Sequence, residues 1–489
     1  MRQRNLLIDP CWSASELGKA IPNSPHAVSV ALPRWQDVIN YEEKEANCMQ
    51  SLKAIYPRFG LNPLVKEIAS RAIYGCEFKK SHGWPFPNLK VAEKAKLYCE
   101  KKINGKVIIK EISGLYCLIT NEDATPFAKA FWQHTGLGAS SRQAAIALKQ
   151  EHSPSKKQGE NARIALAQRL SDIYKCHPSL IDLHPSGMSA LSTALGAIKA
   201  IHPKKTFIQV GFPYVDVLKL PQEIFGGSEL FINTNLEVLA KELRIRKPAA
   251  VIVELPSNPM LQCIDLPAIS KLAHENGALV VADDTIGSAL NIDPLPYADL
   301  IFSSLTKSFA GRGDILAGSL TISPQSRWRK ELSEMVPQNA LAPLSDADAI
   351  ALEESSRDIK VRIPRLNQAC LSLKRKLEQH PQVARVLHPE YCQNFKKIMR
   401  ADAGYGCLLS FELVEGLSKA QHFYNSLRVC KGPSLGTKFT LACPYVLLAH
   451  YEELDWAERC GVPSHLLRVS VGLEEPRSLW ARFKNALES

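Results

Sequence analysis

Lys307 closes the run Ser304-Leu305-Thr306-Lys307, so two hydroxyl side chains precede an amine within four residues. Twenty-four residues before it, Asp283-Asp284-Thr285 follows the apolar run Ala278–Ala282, and 96 residues before Asp283 lies Ser186-Gly187-Met188. Tyr214 and Glu254-Leu255-Pro256-Ser257-Asn258-Pro259 fall between them. Each has a plain reading when taken singly: Lys307 a surface lysine, Asp283 a turn cap, Gly187 a tight turn, Tyr214 a core aromatic. Together they supply a nucleophilic amine, a carboxylate ending a buried strand, an aromatic plane, and small donors at a helix start able to hold an anion.

The elements that must position these residues read as alternating helices and short β-branched runs. Helical spacing marks 161–174 and 189–201. Strand-like runs are Thr206–Val210, Leu230–Ile232, Ala250–Val253, Ala278–Ala282, Leu300–Phe302 and Ile315–Ala317, with helices near 236–246 and 267–275 between them. Continuous apolar strands separated by helices predict a mostly parallel sheet covered on both faces, with ligands at the carboxyl ends of its strands. The residues singled out above stand at such ends. Beyond Pro324 the pattern turns helical from Ala347 to about Gln379, then gives strands at 408–412 and 467–470 and a final helix at 478–487. Upstream, Ser153–Glu160 reads as a flexible loop, and Val107–Thr120 as two short strands around Gly114. The expected division is an N-terminal extension of unknown role (1–130), a large α/β domain (131–325) and a smaller α+β domain (326–489).

A pyridoxal phosphate site needs this set: a lysine to bind the cofactor covalently, an aspartate to keep its ring nitrogen protonated, and donors at a helix start for its phosphate. The block from Val251 to Leu320, VIVELPSNPM…VVADDTIGSA…FSSLTKSFAGRGDILAGSL, resembles the Cys/Met-metabolism (trans-sulfuration) pyridoxal-phosphate enzymes, with motifs in family order over roughly 135–489. HAVSVALPRW, YPRF, WQHTGLGASSR and SLGTKFTLACPYVLLAHY are similar to the extended cystathionine γ-synthases of fungi. The resemblance implies the PLP fold-type I (aspartate aminotransferase-like) architecture. It also implies roles: Lys307 as cofactor-bearing and proton-shuttling residue, Asp283 at the ring nitrogen, Asn258 at the phenolic oxygen, and Tyr214 stacked on the ring. Gly187, Met188, Ser304 and Thr306 would hold the phosphate. Arg142 in Gly138-Ala139-Ser140-Ser141-Arg142 would supply a guanidinium to that phosphate, although the family's tyrosine two residues earlier is here Ser140. Tyr56-Pro57-Arg58 mimics the missing motif, and Arg58 reads as a structural arginine of the extension. Arg468, assisted by Ser434, would bind the substrate carboxylate through a planar fork. Thr437-Lys438-Phe439 stands where most members have Gly-x-Glu.

The activity so implied is a transferase of the O-succinylhomoserine (thiol)-lyase type: γ-replacement on O-acetyl- or O-succinyl-homoserine by cysteine to give cystathionine, a step of methionine biosynthesis. Alternatives on the same scaffold are γ-elimination, sulfhydrylation, carbon–carbon bond-forming γ-substitution, or a non-catalytic relative. Expected partners are these small molecules and further copies of the chain, a dimer or a tetramer of dimers sharing active sites.

Composition is consistent with this. Over 489 residues, 45% hydrophobic and 22% charged residues describe a globular chain, and its net charge of +11 is not gathered into any nucleic-acid motif. The thirteen cysteines include no C-x-x-C pair, and His450 with Cys443 lacks further ligands, so no disulfide framework and no metal site are expected. Pro10 and Pro22 interrupt the N-terminus, which lacks the apolar core of a secretory signal, and no apolar run is long enough to span a membrane. A cytoplasmic enzyme is expected.

Overall fold

The computed structural model describes residues 4–57, 59–76, 78, 80–103 and 106–489. A three-stranded antiparallel sheet near the N-terminus comprises β1 (His82–Phe86), β2 (Val107–Ile112) and β3 (Leu115–Thr120), in the order β1-β3-β2. Ser113 and Gly114 join β2 to β3 with φ of 50° and 86°. Two left-handed residues make the tight hairpin whose twist suits the strands it joins. Helices Pro63–Ile73, Leu89–Glu100 and Thr125–Thr135 pack against this sheet.

The central sheet has seven strands: β4 (Ile181–His184), β5 (Phe207–Val210), β6 (Ser228–Phe231), β7 (Ala250–Glu254), β8 (Leu279–Asp283), β9 (Leu300–Ser303) and β10 (Gly318–Ile322). Their order is β4-β10-β9-β8-β7-β5-β6, with β5 to β9 mutually parallel and β10 antiparallel to both of its neighbours. Alternate residues serve opposite cores. Val251, Val253, Val280 and Ala282 enter one apolar cluster, whereas Ala250, Ile252, Leu279 and Val281 enter the other. A period of two therefore makes both faces apolar, which explains why these strands read as unbroken hydrophobic runs.

The C-terminal sheet, β11 (Val383–Leu387), β12 (Leu408–Leu413), β13 (Cys430–Lys431), β14 (Leu441–Pro444) and β15 (Leu467–Ser470), has the order β11-β12-β15-β14-β13. Helices Ile359–Glu378, Gly416–Ser426 and Pro476–Glu488 back it.

Several sequence expectations shift. The strand expected at 315–317 lies at 318–322, where the chain pairs with β4 and β9. Helix Lys156–Tyr174 takes in five of the eight residues of the expected loop, because Ser155 and Gln158 form a capping box. The helix expected over 347–379 is two, Asp346–Ser355 and Ile359–Glu378. The first 130 residues also fall into two parts. Residues 64–140 carry the small sheet and its helices. The segment before them packs on the C-terminal sheet, where Val30, Leu32, Trp35, Val38 and Tyr41 share a core with Phe411, Phe423 and Leu466.

Candidate active site

The carboxyl ends of β7, β8 and β9 open into a cleft lined by Ser186, Gly187, Met188, Tyr214, Glu254, Asn258, Asp283, Ser304, Thr306, Lys307, Ser434 and Arg468. Residues far apart in sequence thus converge, as expected where a parallel sheet directs its strand ends to one side.

Lys307 is buried and its Nζ donates to the Tyr56 hydroxyl at 2.9 Å and to Ser434 Oγ at 3.2 Å. Burial opposes ionisation of the Tyr56 phenol, yet the positive Lys307 and hydrogen bonds with Lys307 and Tyr214 bring its pKa below the usual value. Tyr56 is a site residue that sequence reasoning passed over. Its signal was the Tyr-Pro-Arg motif; Arg58 itself lies outside the described residues.

Ser434 links the lysine to Arg468. Its backbone is left-handed, at φ 84°, and its carbonyl accepts from Arg468 Nη2 at 2.7 Å. Arg468 Nη1 also donates to Asn258 Oδ1 at 3.3 Å, and the guanidinium lies over the Tyr445 ring, 4.7 Å from its centroid. Gly436, at φ 77°, presses this loop onto the lysine: a Cβ there would stand 2.3 Å from the Ser308 nitrogen. Arg362, fully buried, holds the chain after Lys307 by donating to the carbonyls of Ser308 and Phe309. Tyr445 lines the cleft, whereas Phe439 packs outside it with Cys11, Ile21 and Ala31.

Of the paired aspartates, only Asp283 faces the cleft; Asp284 is turned away and accepts from the Tyr174 hydroxyl at 2.7 Å. Burial pushes the Asp283 carboxyl up to about 7, against the opposing pull of its hydrogen bonds from Thr285. Glu254 stands beside Asp283 in strand register, and burial together with the Asp283 charge raises its pKa well above the carboxylate range. Glu254 Oε2 also accepts from the backbone nitrogens of Tyr214 at 3.0 Å and Asn258 at 3.4 Å, fixing both residues around one carboxyl.

Helix Gly187–Ile201 points its N-terminus into the cleft, capped by Ser186, whose Oγ accepts from Ser189 at 3.0 Å. A Cβ on Gly187 would come within 2.9 Å of Ser304 Cα, so only glycine lets the helix start and the Ser304 loop touch. The Thr306 hydroxyl is already engaged with Ala317, donating to its carbonyl at 3.2 Å and accepting from its nitrogen at 3.1 Å. Arg142 is not brought to this site. It is buried with Nη1 on the Asp314 carbonyl at 2.8 Å and on Asp348 at 3.3 Å. An expectation that placed its guanidinium at the phosphate is corrected by those two acidic neighbours, 172 and 206 residues away, which sequence spacing could not reveal.

The donor set fits a pyridoxal phosphate. The buried Asp283 carboxyl, pushed up to about 7, has no cation against it among the described residues, a place that a protonated pyridine would fill, and the helix start with the Ser304 loop forms an anion cradle that one extra methyl group would fill.

The model for Cys/Met metabolism PLP-dependent enzymes matches residues 130–488, most of the chain. The chain belongs to this family. Residues 64–140 match the N-terminal domain of fungal trans-sulfuration enzymes. Within the family, the chain is 29% identical to a cystathionine γ-synthase of Neurospora crassa, over 97% of this chain and 98% of that one. It is equally 29% identical to an L-2-amino-4-chloropent-4-enoate dechlorinase/desaturase of Streptantibioticus cattleyicolor, over 96% and 98%. Among solved structures, the cystathionine γ-synthase of Xanthomonas oryzae pv. oryzae in complex with aminoacrylate and cysteine superposes with a TM-score of 0.61 at 24% identity. It covers 69% of this chain and 88% of its own. The fold is therefore that of the PLP fold-type I enzymes, and this family member depends on pyridoxal phosphate.

Proposed function

We propose that the protein catalyses γ-replacement on an O-acylhomoserine, with cysteine as nucleophile and cystathionine as product. The observation that carries this reading is the chain Tyr56–Lys307–Ser434–Arg468, which sets a proton-carrying pair beside a carboxylate-binding fork. The names of the Neurospora and Xanthomonas relatives support the same reaction.

In this mechanism Lys307, Asp283, Asn258 and Tyr214 would hold the cofactor, and Gly187, Met188 and Ser304 would hold its phosphate. Thr306 joins them if its hydroxyl turns from Ala317. The cofactor, when bound, supplies an electron sink for the substrate's Cα–H bond. Arg468 takes the substrate α-carboxylate in its fork and, through Ser434, sets Cα close to the lysine. The Lys307 amine removes the Cα proton and can deliver protons along the same face, while the Tyr56 hydroxyl exchanges a proton with that amine. The Cγ–O bond breaks with its electron pair leaving on the acyloxy group, and the cysteine sulfur forms the Cγ–S bond. Overall the thiol proton is transferred to the released carboxylate.

The dechlorinase/desaturase at equal identity favours elimination at Cγ without a nucleophile as a second reading. Purified holoenzyme given O-acetyl- or O-succinyl-homoserine with cysteine, with sulfide or with no nucleophile separates them. Cystathionine formation that requires cysteine supports replacement. Equal release of a keto acid with and without cysteine overturns it.

A further inference from the structure

We infer that Tyr445 is a positioning residue for the substrate α-carboxylate: its ring carries one face of the Arg468 guanidinium and leaves the guanidinium edge to the ligand. The inference rests on the proposed reaction only in taking the ligand of Arg468 to be an amino-acid carboxylate.

Arg468 lies on β15 opposite Cys443 of β14, and Tyr445 opens helix Tyr445–Ala449 two residues after Cys443. The turn from strand to helix brings the ring over the guanidinium, whose Cζ stands 4.7 Å from the ring centroid. Both side chains are buried and both line the cleft. A cation over an aromatic face gains more in such a place than in water, because little solvent or salt screens the attraction. The hydrogen bonds of Arg468 act differently. Nη1 on Asn258 Oδ1 at 3.3 Å and Nη2 on the Ser434 carbonyl at 2.7 Å hold single N–H groups at the edge. The ring, by contrast, sets the tilt of the whole plane. A carboxylate meets a guanidinium through two parallel hydrogen bonds only in that plane, so fixing the plane fixes the direction from which the carboxylate must enter.

Tyr445 is itself braced. His450 meets its ring edge-on with centroids 6.4 Å apart, and packs in turn on Phe212 at 5.2 Å and on Trp456 at 5.5 Å. Phe212 stacks on Trp456 at 5.3 Å and lies two residues before the cleft-lining Tyr214. An aromatic stack therefore runs from the loop after β5 to the Tyr445 ring, which cannot turn off the guanidinium without breaking its packing with His450. Filling the core would account for the burial of Tyr445. It would not account for a ring that faces the cleft and meets the cation there.

Two oxyamines that capture a lysine-bound pyridoxal phosphate test this on full-length holoprotein, followed by the absorbance of the cofactor. Aminooxyacetate carries a carboxylate and O-methylhydroxylamine does not. The variants are Tyr445→Phe, Tyr445→Leu and a series with mono-, di- and trifluorinated phenylalanine at position 445, in which fluorine draws electron density from the ring face at nearly constant shape. Capture of aminooxyacetate should stay within about threefold of wild type in Tyr445→Phe, fall stepwise with fluorination and be about 10-fold slower in Tyr445→Leu. Capture of O-methylhydroxylamine should not change. Turnover of an O-acylhomoserine should show the same loss in KM, with kcat within about twofold. A flat response to fluorination overturns the inference, as does an equal loss for both oxyamines. Tyr445→Phe as slow as Tyr445→Leu assigns the effect to the hydroxyl and overturns it too. Rates are read per cofactor-bearing chain, so a variant that folds poorly still reports. Wild-type holoprotein inert toward O-acylhomoserines would instead sink the γ-replacement reading and leave the oxyamine comparison standing.

Discussion

Lys307 and Lys431 are both withdrawn from water, and their surroundings differ in kind. Lys431, in the seam between the N-terminal segment and the C-terminal sheet, places its Nζ on three backbone carbonyls and over the Tyr424 ring. An ammonium has three donors, and all are used. Burial still lowers its pKa to about 7, but its partners are acceptors that take no proton. Lys307 donates to two hydroxyls, Tyr56 and Ser434, each able to donate as well as accept, and its third direction is left to the cleft. The comparison teaches that burial alone does not mark a reactive lysine. Partners that can move a proton and a face left open to a ligand do.

The largest expected effect falls on the cleft side of this comparison. Lys307→Ala should lower kcat/KM by about 10³-fold or more and abolish the visible absorbance of bound cofactor, with the urea midpoint of the cofactor-free protein unchanged. Retained turnover would end the distinction drawn between the two lysines. On the seam side, Lys431→Met leaves three buried carbonyls without a donor. It should remove about 2–4 kcal/mol of stability in urea titrations while leaving activity per folded molecule unchanged. A selective loss of activity with normal stability would break the comparison from the other end.

Arg468→Lys keeps the charge and loses the fork that bridges Asn258 and Ser434. We expect about a 10–100-fold fall in kcat/KM, roughly 1.4–2.7 kcal/mol, expressed mainly in KM for the amino-acid substrate.

The smallest effect concerns pH. Asp283 titrates near 7 in the folded cofactor-free protein and near 3.8 when unfolded, so the folded state binds the extra proton between those values. Stability from this group is fully present below about pH 4 and is lost as pH rises through 7. Asp283→Asn should flatten the decline of melting temperature over that range, because burial is the first cause of the raised Asp283 carboxyl and an amide has no charge to desolvate. Added pyridoxal phosphate should stabilise the wild type most toward the upper end of the range, where Asp283 is an anion, and the Asn variant less.

Much of the cleft was legible in the linear chain because its residues terminate elements with strong local signals. Asp283 follows four buried apolar residues in β8, Gly187 opens an apolar helix, and Lys307 follows the short strand β9. Ser434 and Arg468 could be marked by motif. Tyr56 could not be matched to Lys307, because 251 residues separate them and no periodicity records which loop meets which strand end. The same blindness misplaced Arg142, whose motif is local while its acidic partners Asp314 and Asp348 are not.

The amino-acid sequence by itself determined the parallel sheet, the strand ends that carry the chemistry and the pyridoxal phosphate that suits them. Period-two and period-3.6 apolar patterns, and residues adjacent to them, are properties of short stretches of chain. Only the tertiary structure decided that the N-terminal segment returns to the C-terminal sheet, that Tyr56 rather than Arg142 enters the cleft, and that Glu254 holds Tyr214 and Asn258 around one carboxyl. Those outcomes depend on packing and on finding a partner for every buried polar group. Such conditions are met between distant segments and are not written in any one of them.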